Sequence, residues 1–149
     1  MTESSDTARF LGTWQLLESY SERAAGRLPF PLGAKVIGSI NYDCAGNMAA
    51  QLMGEDRPPF KSRDPREISD AEYREAFQTY TAYFGTFDVN PAARTVTHHV
   101  LGATVPNWPG NDQLRFYELQ DDRLILRTPP MRGNDGEKSV HTLVWQKVA

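Results

Sequence analysis

Hydrophobic and polar residues alternate along most of this chain in short runs, the period of β-strands with one face turned inward. Trp14, Leu16, Glu18 and Tyr20 share one parity; Gln15, Leu17 and Ser19 take the other. Val36 to Tyr42 and Met48 to Met53 read as two strands joined by Asp43-Cys44-Ala45-Gly46-Asn47, where Gly46 can take the positive φ of a hairpin turn. Tyr83, Phe87 and Val89 alternate next, Asn90-Pro91-Ala92-Ala93 turns, and Thr95 to Leu101 returns. Leu114 to Leu119, Leu124 to Thr128 and Val140 to Val148 follow, connected through 121–122 and 132–136.

Other segments break the alternation. Ser21 to Pro31 is rich in Arg, Gly and Pro and predicts a loop, as does Pro106 to Asn111. Gly54 to Glu67 carries Pro58, Pro59 and Pro65 and cannot be a strand; it is either a solvated loop or a lid over an opening. Ser69-Asp70-Ala71-Glu72 is a capping box, and predicts one short helix over about residues 69–80. Residues 1–8 read as a disordered tail before a single domain, 9–149. The pattern is all-β: eight antiparallel strands, mostly neighbours in sequence, closing as an up-and-down barrel with room for one small ligand.

Composition narrows the partners. A net charge of −3 with no Lys/Arg cluster argues against nucleic acid. The acidic, polar start does not read as a signal peptide, and no apolar run approaches membrane-spanning length. Cys44 is the one cysteine, which excludes an internal disulfide and fits a reducing, cytoplasmic compartment. His98 and His141 lack a third metal ligand, Gly-x-Ser-x-Gly and phosphate loops are absent, and Cys44 sits beside acidic Asp43. No cofactor or metal is therefore expected, and a homodimer is left open.

Gly12-Thr13-Trp14 heads the first strand. With it go Tyr42 and Gly46-Asn47-Met48-Ala49-Ala50, Ala82-Tyr83-Phe84-Gly85, Val96-Thr97-His98-His99-Val100, Pro106-Asn107-Trp108-Pro109-Gly110, Arg115-Phe116-Tyr117 and Leu143-Val144-Trp145. In this order the chain resembles the lipocalin-like domain family of calycin-type barrels, from about Phe10 to Lys147. The resemblance implies a lipocalin-like barrel, and a basic residue, here Lys147, stacked across the Trp14 indole at its base. It implies no single function, since some relatives belong to secondary-metabolite pathways and fold does not determine function.

Parity predicts which side chains line the barrel. Trp14 and Leu16 carry Glu18 inward; Val96 and Val100 carry His98 inward and leave His99 outward. The strand 114–119 is ambiguous by parity, and the family pattern places Arg115 and Tyr117 inside. Leu143 and Trp145 bring His141 and Lys147 with them. The ligand contacts expected are Tyr42, Met48, Phe87, Tyr117, His141 and Trp145, with Trp108 on its loop. Trp14, Phe87 and Trp145 also suit plain core packing, and His98 could be a satisfied core imidazole. An interior Arg115 needs either a carboxylate such as Glu18 or an anionic ligand.

Two functions fit. In one, the barrel binds a small hydrophobic, partly polar or anionic molecule. In the other it is a cofactor-independent isomerase, cyclase or lyase acting on a polyketide- or terpenoid-like substrate. His98, Arg115, Tyr83 and Glu18 would then be the catalytic set, serving as acid–base and oxyanion groups.

Overall fold

The computed structural model describes residues 2–28, 32–33, 35–132 and 136–149. Part of the connection expected at 132–136 and of the loop expected at 21–31 lies outside these residues; where described, the latter is not a loop but a hairpin, Ser21, Glu22 and Arg23 pairing with Leu28, Arg27 and Gly26. The elements are α1 (Thr2–Phe10), β1 (Gly12–Arg23), β2 (Gly26–Leu28), β3 (Val36–Tyr42), β4 (Asn47–Gly54), α2 (Asp70–Gln78), β5 (Tyr80–Asn90), β6 (Thr95–Ala103), β7 (Asp112–Gln120), β8 (Arg123–Arg127), β9 (Met131–Arg132) and β10 (Lys138–Lys147).

The strands pair antiparallel in the order β2-β1-β3-β4-β5-β6-β7-β8-β10-β9, and β1 also pairs with β10. Eight long strands thus close on themselves, with β2 and β9 as short flanking pieces. Turns 43–46, 91–94 and 121–122 lie at one end, the base; the β4–β5 and β6–β7 connections leave from the opposite rim.

Local sequence explains the punctuation. Ser69 accepts from the Glu72 backbone N–H while the Glu72 carboxylate accepts from the Ser69 N–H, so α2 starts where the capping box predicts. Gly46 has φ +89° in the β3–β4 hairpin. Gly12 has φ +126°, and a Cβ there would lie 2.2 Å from the Ala149 carbonyl oxygen. The first glycine of the Gly-x-Trp motif is therefore a point of close backbone approach.

The N-terminal segment and β1 also depart from expectation. The supposed tail is α1, and its last turn closes the base. The Phe10 ring is fully buried, edge-on to Tyr42 at 5.2 Å and to Tyr117 at 5.0 Å, and its carbonyl accepts from the Trp14 indole N–H at 2.8 Å. Short helices are stabilised by such docking more than by propensity, which composition does not reveal. Lys147 Nζ lies 5.3 Å from the Trp14 ring centre and donates to the Arg9 carbonyl.

β1 departs in its register. Leu16 pairs with Trp145 but Glu18 pairs with Val144, so Leu17 is an extra residue. This β-bulge reverses the parity beyond it. Glu18 consequently faces outward, 3.6 Å from the Arg27 guanidinium, and is no lumen residue. Ser21 turns inward in its place and is buried.

Candidate functional site

The base of the barrel is solid. Phe10, Trp14, Tyr42, Val96, Tyr117, Leu124 and Trp145 are each at most 2% exposed. Any ligand space lies above them, where Val36, Leu52, Tyr83 and Leu143 keep slight exposure and Gln113, Arg115, His141 and Trp108 are half-buried. The wall is also incomplete on one side. β1 pairs with β3 only over Gly12–Gln15 and Ser39–Tyr42. Next to this gap, a concavity of about 500 Å³ is lined by Leu16, Gly38 and Leu52 among others.

At the centre is a bridge of three side chains. His98, on β6, is 1% exposed; its Nε2 lies 2.7 Å from the Tyr42 hydroxyl and its Nδ1 lies 2.8 Å from the Tyr83 hydroxyl. β6 turns Val96, His98 and Val100 inward because its polar alternates, Thr97 and His99, face out. Outside, His99 is held between Asp88 and Asp112, each at 2.7 Å, which raises its proton affinity.

Burial lowers the His98 pKa to about 3, and the nearby positive charge of Arg115 pushes it the same way. The imidazole is therefore neutral at neutral pH, with one N–H and one bare nitrogen. Burial likewise raises the hydroxyl pKa values of Tyr42 and Tyr83.

Counting hydrogens fixes the polarity of the bridge. Two phenol hydrogens and one ring N–H serve two contacts, so one phenol hydrogen is left over. Tyr42 lies deeper, its ring 4.7 Å from Phe87 and 5.2 Å from Phe10, where an unspent donor would cost about 1–3 kcal/mol. Tyr83 is nearer the rim, edge-on to Trp108 at 5.8 Å. The favoured arrangement has Tyr42 donating to Nε2 and Nδ1–H donating to the Tyr83 oxygen. The Tyr83 O–H is then free to donate to something in the lumen.

Arg115 shares the inward parity of Gln113 and Tyr117, while Leu114 and Phe116 face out. Its guanidinium donates to the Leu114 carbonyl at 2.9 Å and to Gln113 Oε1 at 2.8 Å. Both partners are neutral, and among the described residues no carboxylate pairs with it. Its field reaches Tyr42, Tyr83, His98 and His141.

The remaining expected residues divide between base and rim. Phe87 packs on the Tyr42 ring, and Met48 is buried as the cross-strand partner of Tyr42. The Tyr117 hydroxyl donates to Asp6 on α1 at 2.6 Å, so it ties down the base plug instead of facing a ligand. Trp145 is deep, yet its indole N–H has no hydrogen-bond partner among the described residues. His141 sits at the rim with Nδ1 2.5 Å from Ser21 Oγ. Ser21 was not predicted; the adjacent Leu16-Leu17, which interrupts the alternation, was the one available sign of the bulge.

Segment 55–64 is tied to α2. Arg57 donates to Thr79 Oγ1 and to the Ala76 carbonyl, and the Lys61 backbone N–H donates to Glu72. A cleft of about 520 Å³ lies between the two, away from the bridge and Arg115. Its walls offer no such arrangement of buried polar groups.

A family model described as a lipocalin-like domain matches residues 11–148. No curated protein matches the chain.

Proposed function

This chain belongs to the lipocalin-like domain family, and on that premise we propose that its upper lumen binds a small, flat organic anion such as a carboxylate or enolate. A barrel of this family suits small-molecule binding; the choice of an anion rests on Arg115. Arg115 is half-buried, and among the described residues its guanidinium has a carbonyl and an amide oxygen as partners but no carboxylate, so a bound anion would supply the counter-charge. The Tyr83 hydroxyl supplies a neutral donor beside it, and Trp108 and Leu143 supply apolar walls.

The isomerase or cyclase alternative has less support. Both nitrogens of His98 are engaged by phenols and its pKa is about 3, so it is a poor proton carrier near neutrality. In this reading it orients Tyr83.

The test is titration with 8-anilinonaphthalene-1-sulfonate, an aromatic anion whose fluorescence rises on burial. Charge-assisted hydrogen bonds contribute about 1.5–3 kcal/mol, so Arg115→Gln is expected to weaken binding roughly 10- to 100-fold. Equal affinity for wild type and variant would remove Arg115 from the site.

A further inference from the structure

We propose that Ser21 and His141 form a nucleophile–base pair, making the rim an acyl-transfer site for small esters. The inference goes beyond the binding reading and does not depend on it.

The pair is built by the β1 bulge. With Leu17 as the extra residue, β1 resumes with Ser19 and Ser21 on the lumen side, and Ser21 becomes the direct cross-strand partner of His141 on β10. Their side chains meet at 2.5 Å, Ser21 Oγ to His141 Nδ1. The His141 backbone is fixed from its other side: its N–H donates to Thr128 Oγ1 at 3.0 Å, and its carbonyl accepts from the Thr128 N–H at 3.0 Å. The imidazole therefore hangs from a strand end held by both neighbours.

Partial burial, with the charge of Arg115 adding to it, lowers the proton affinity of this ring. In the neutral tautomer that carries its hydrogen on Nε2, His141 presents the Nδ1 lone pair to the serine hydroxyl, as a general base must. A serine that only completed a hydrogen-bond quota would serve as well in the packed base. This one lies toward the rim end of the lumen, paired with a histidine that feels the charge of Arg115.

The chemistry balances without a cofactor. Ser21 Oγ attacks the ester carbonyl as its proton passes to His141 Nδ1. The bond to the leaving alcohol breaks and that alcohol takes the proton from His141. Water, deprotonated by the same nitrogen, then attacks the acyl-serine and restores the hydroxyl. The net change is ester plus water to acid plus alcohol. Arg115 is the cation available to the oxyanion that forms in each half.

The experiment uses the full chain and p-nitrophenyl acetate, with intact mass and peptide mapping after a short exposure. Wild type is expected to gain one acetyl group on Ser21. Because a positioned base contributes roughly 10²–10⁴-fold, His141→Phe is expected to slow that acetylation at least about 100-fold. Ser21→Cys retains a nucleophile and is expected to be acylated at the same position; Ser21→Ala is not. Acetylation confined to lysines in wild type, or an unchanged Ser21 rate in His141→Phe, would overturn the proposal. The wild-type map decides the matter even where a variant fails to fold. Dye titration of Arg115→Gln judges the binding reading separately.

Discussion

Acid should loosen this barrel through His98, and the size of the effect follows from its burial. The unfolded imidazole titrates near 6.5, whereas the folded one titrates at about 3. Between those values the unfolded chain holds a proton that the folded chain refuses. The contribution is therefore fully present above about pH 6.5 and is lost as pH falls toward about 3. At 1.36 kcal/mol per pH unit the whole loss is on the order of 5 kcal/mol, comparable with the low end of domain stability. Over the first 1.5 units below 6.5 it is about 2 kcal/mol, before most carboxylates titrate. His141, also lowered, pulls the same way. His99, held up by Asp112 and Asp88, pulls oppositely, its contribution being present below 6.5 and fading as pH rises through its raised value. A variant cancels these backgrounds. His98→Gln keeps one acceptor and a donor for the two phenols but carries no titratable ring. Urea unfolding of both proteins between about pH 7 and pH 5 should show wild type losing roughly 2 kcal/mol more than the variant. Parallel pH profiles would mean that the imidazole protonates freely in the fold, and the closed Tyr–His–Tyr bridge would be wrong.

The other predictions concern the bridge and the plug. Tyr42→Phe should cost about 1–3 kcal/mol in unfolding free energy by stripping His98 Nε2 of its donor, with little effect on dye affinity. Tyr83→Phe should act in the reverse sense, weakening the dye several-fold more than Tyr42→Phe does; matched effects in the two variants would refute the assigned polarity. Phe10→Ala removes a fully buried ring that touches Tyr42 and Tyr117, and should cost about 3–5 kcal/mol. Amide exchange should then show α1 opening well before the strands. A loss below about 1 kcal/mol would mean that the helix does not plug the base.

Much of the barrel was legible in the chain because its strands obey a simple two-residue period. Val36–Tyr42 coincides with the predicted strand, and His98 and His99 point to opposite faces as alternation requires. The capping box set the start of α2. Arg115 and Tyr117 were undecided by pattern, since Leu114 and Phe116 are equally apolar; the outward pair is left partly exposed on the surface. Glu18 was misplaced because a bulge is a register event between two strands, written only faintly in Leu16-Leu17. The same slip hid Ser21. α1 escaped notice because its stability comes from Phe10 and Asp6 docking on the base, a long-range contact that local composition does not carry. The solid base was also unexpected. Alternation tells which side chains point inward but not whether they meet.

The most direct measurement is a crystal structure with 8-anilinonaphthalene-1-sulfonate bound. The account predicts the sulfonate on the Arg115 guanidinium, with the Tyr83 hydroxyl turned toward the ligand and the rings against Trp108. A dye seated instead in the cleft between α2 and segment 57–61, with Arg115 still on Gln113 and the lumen closed, would contradict it.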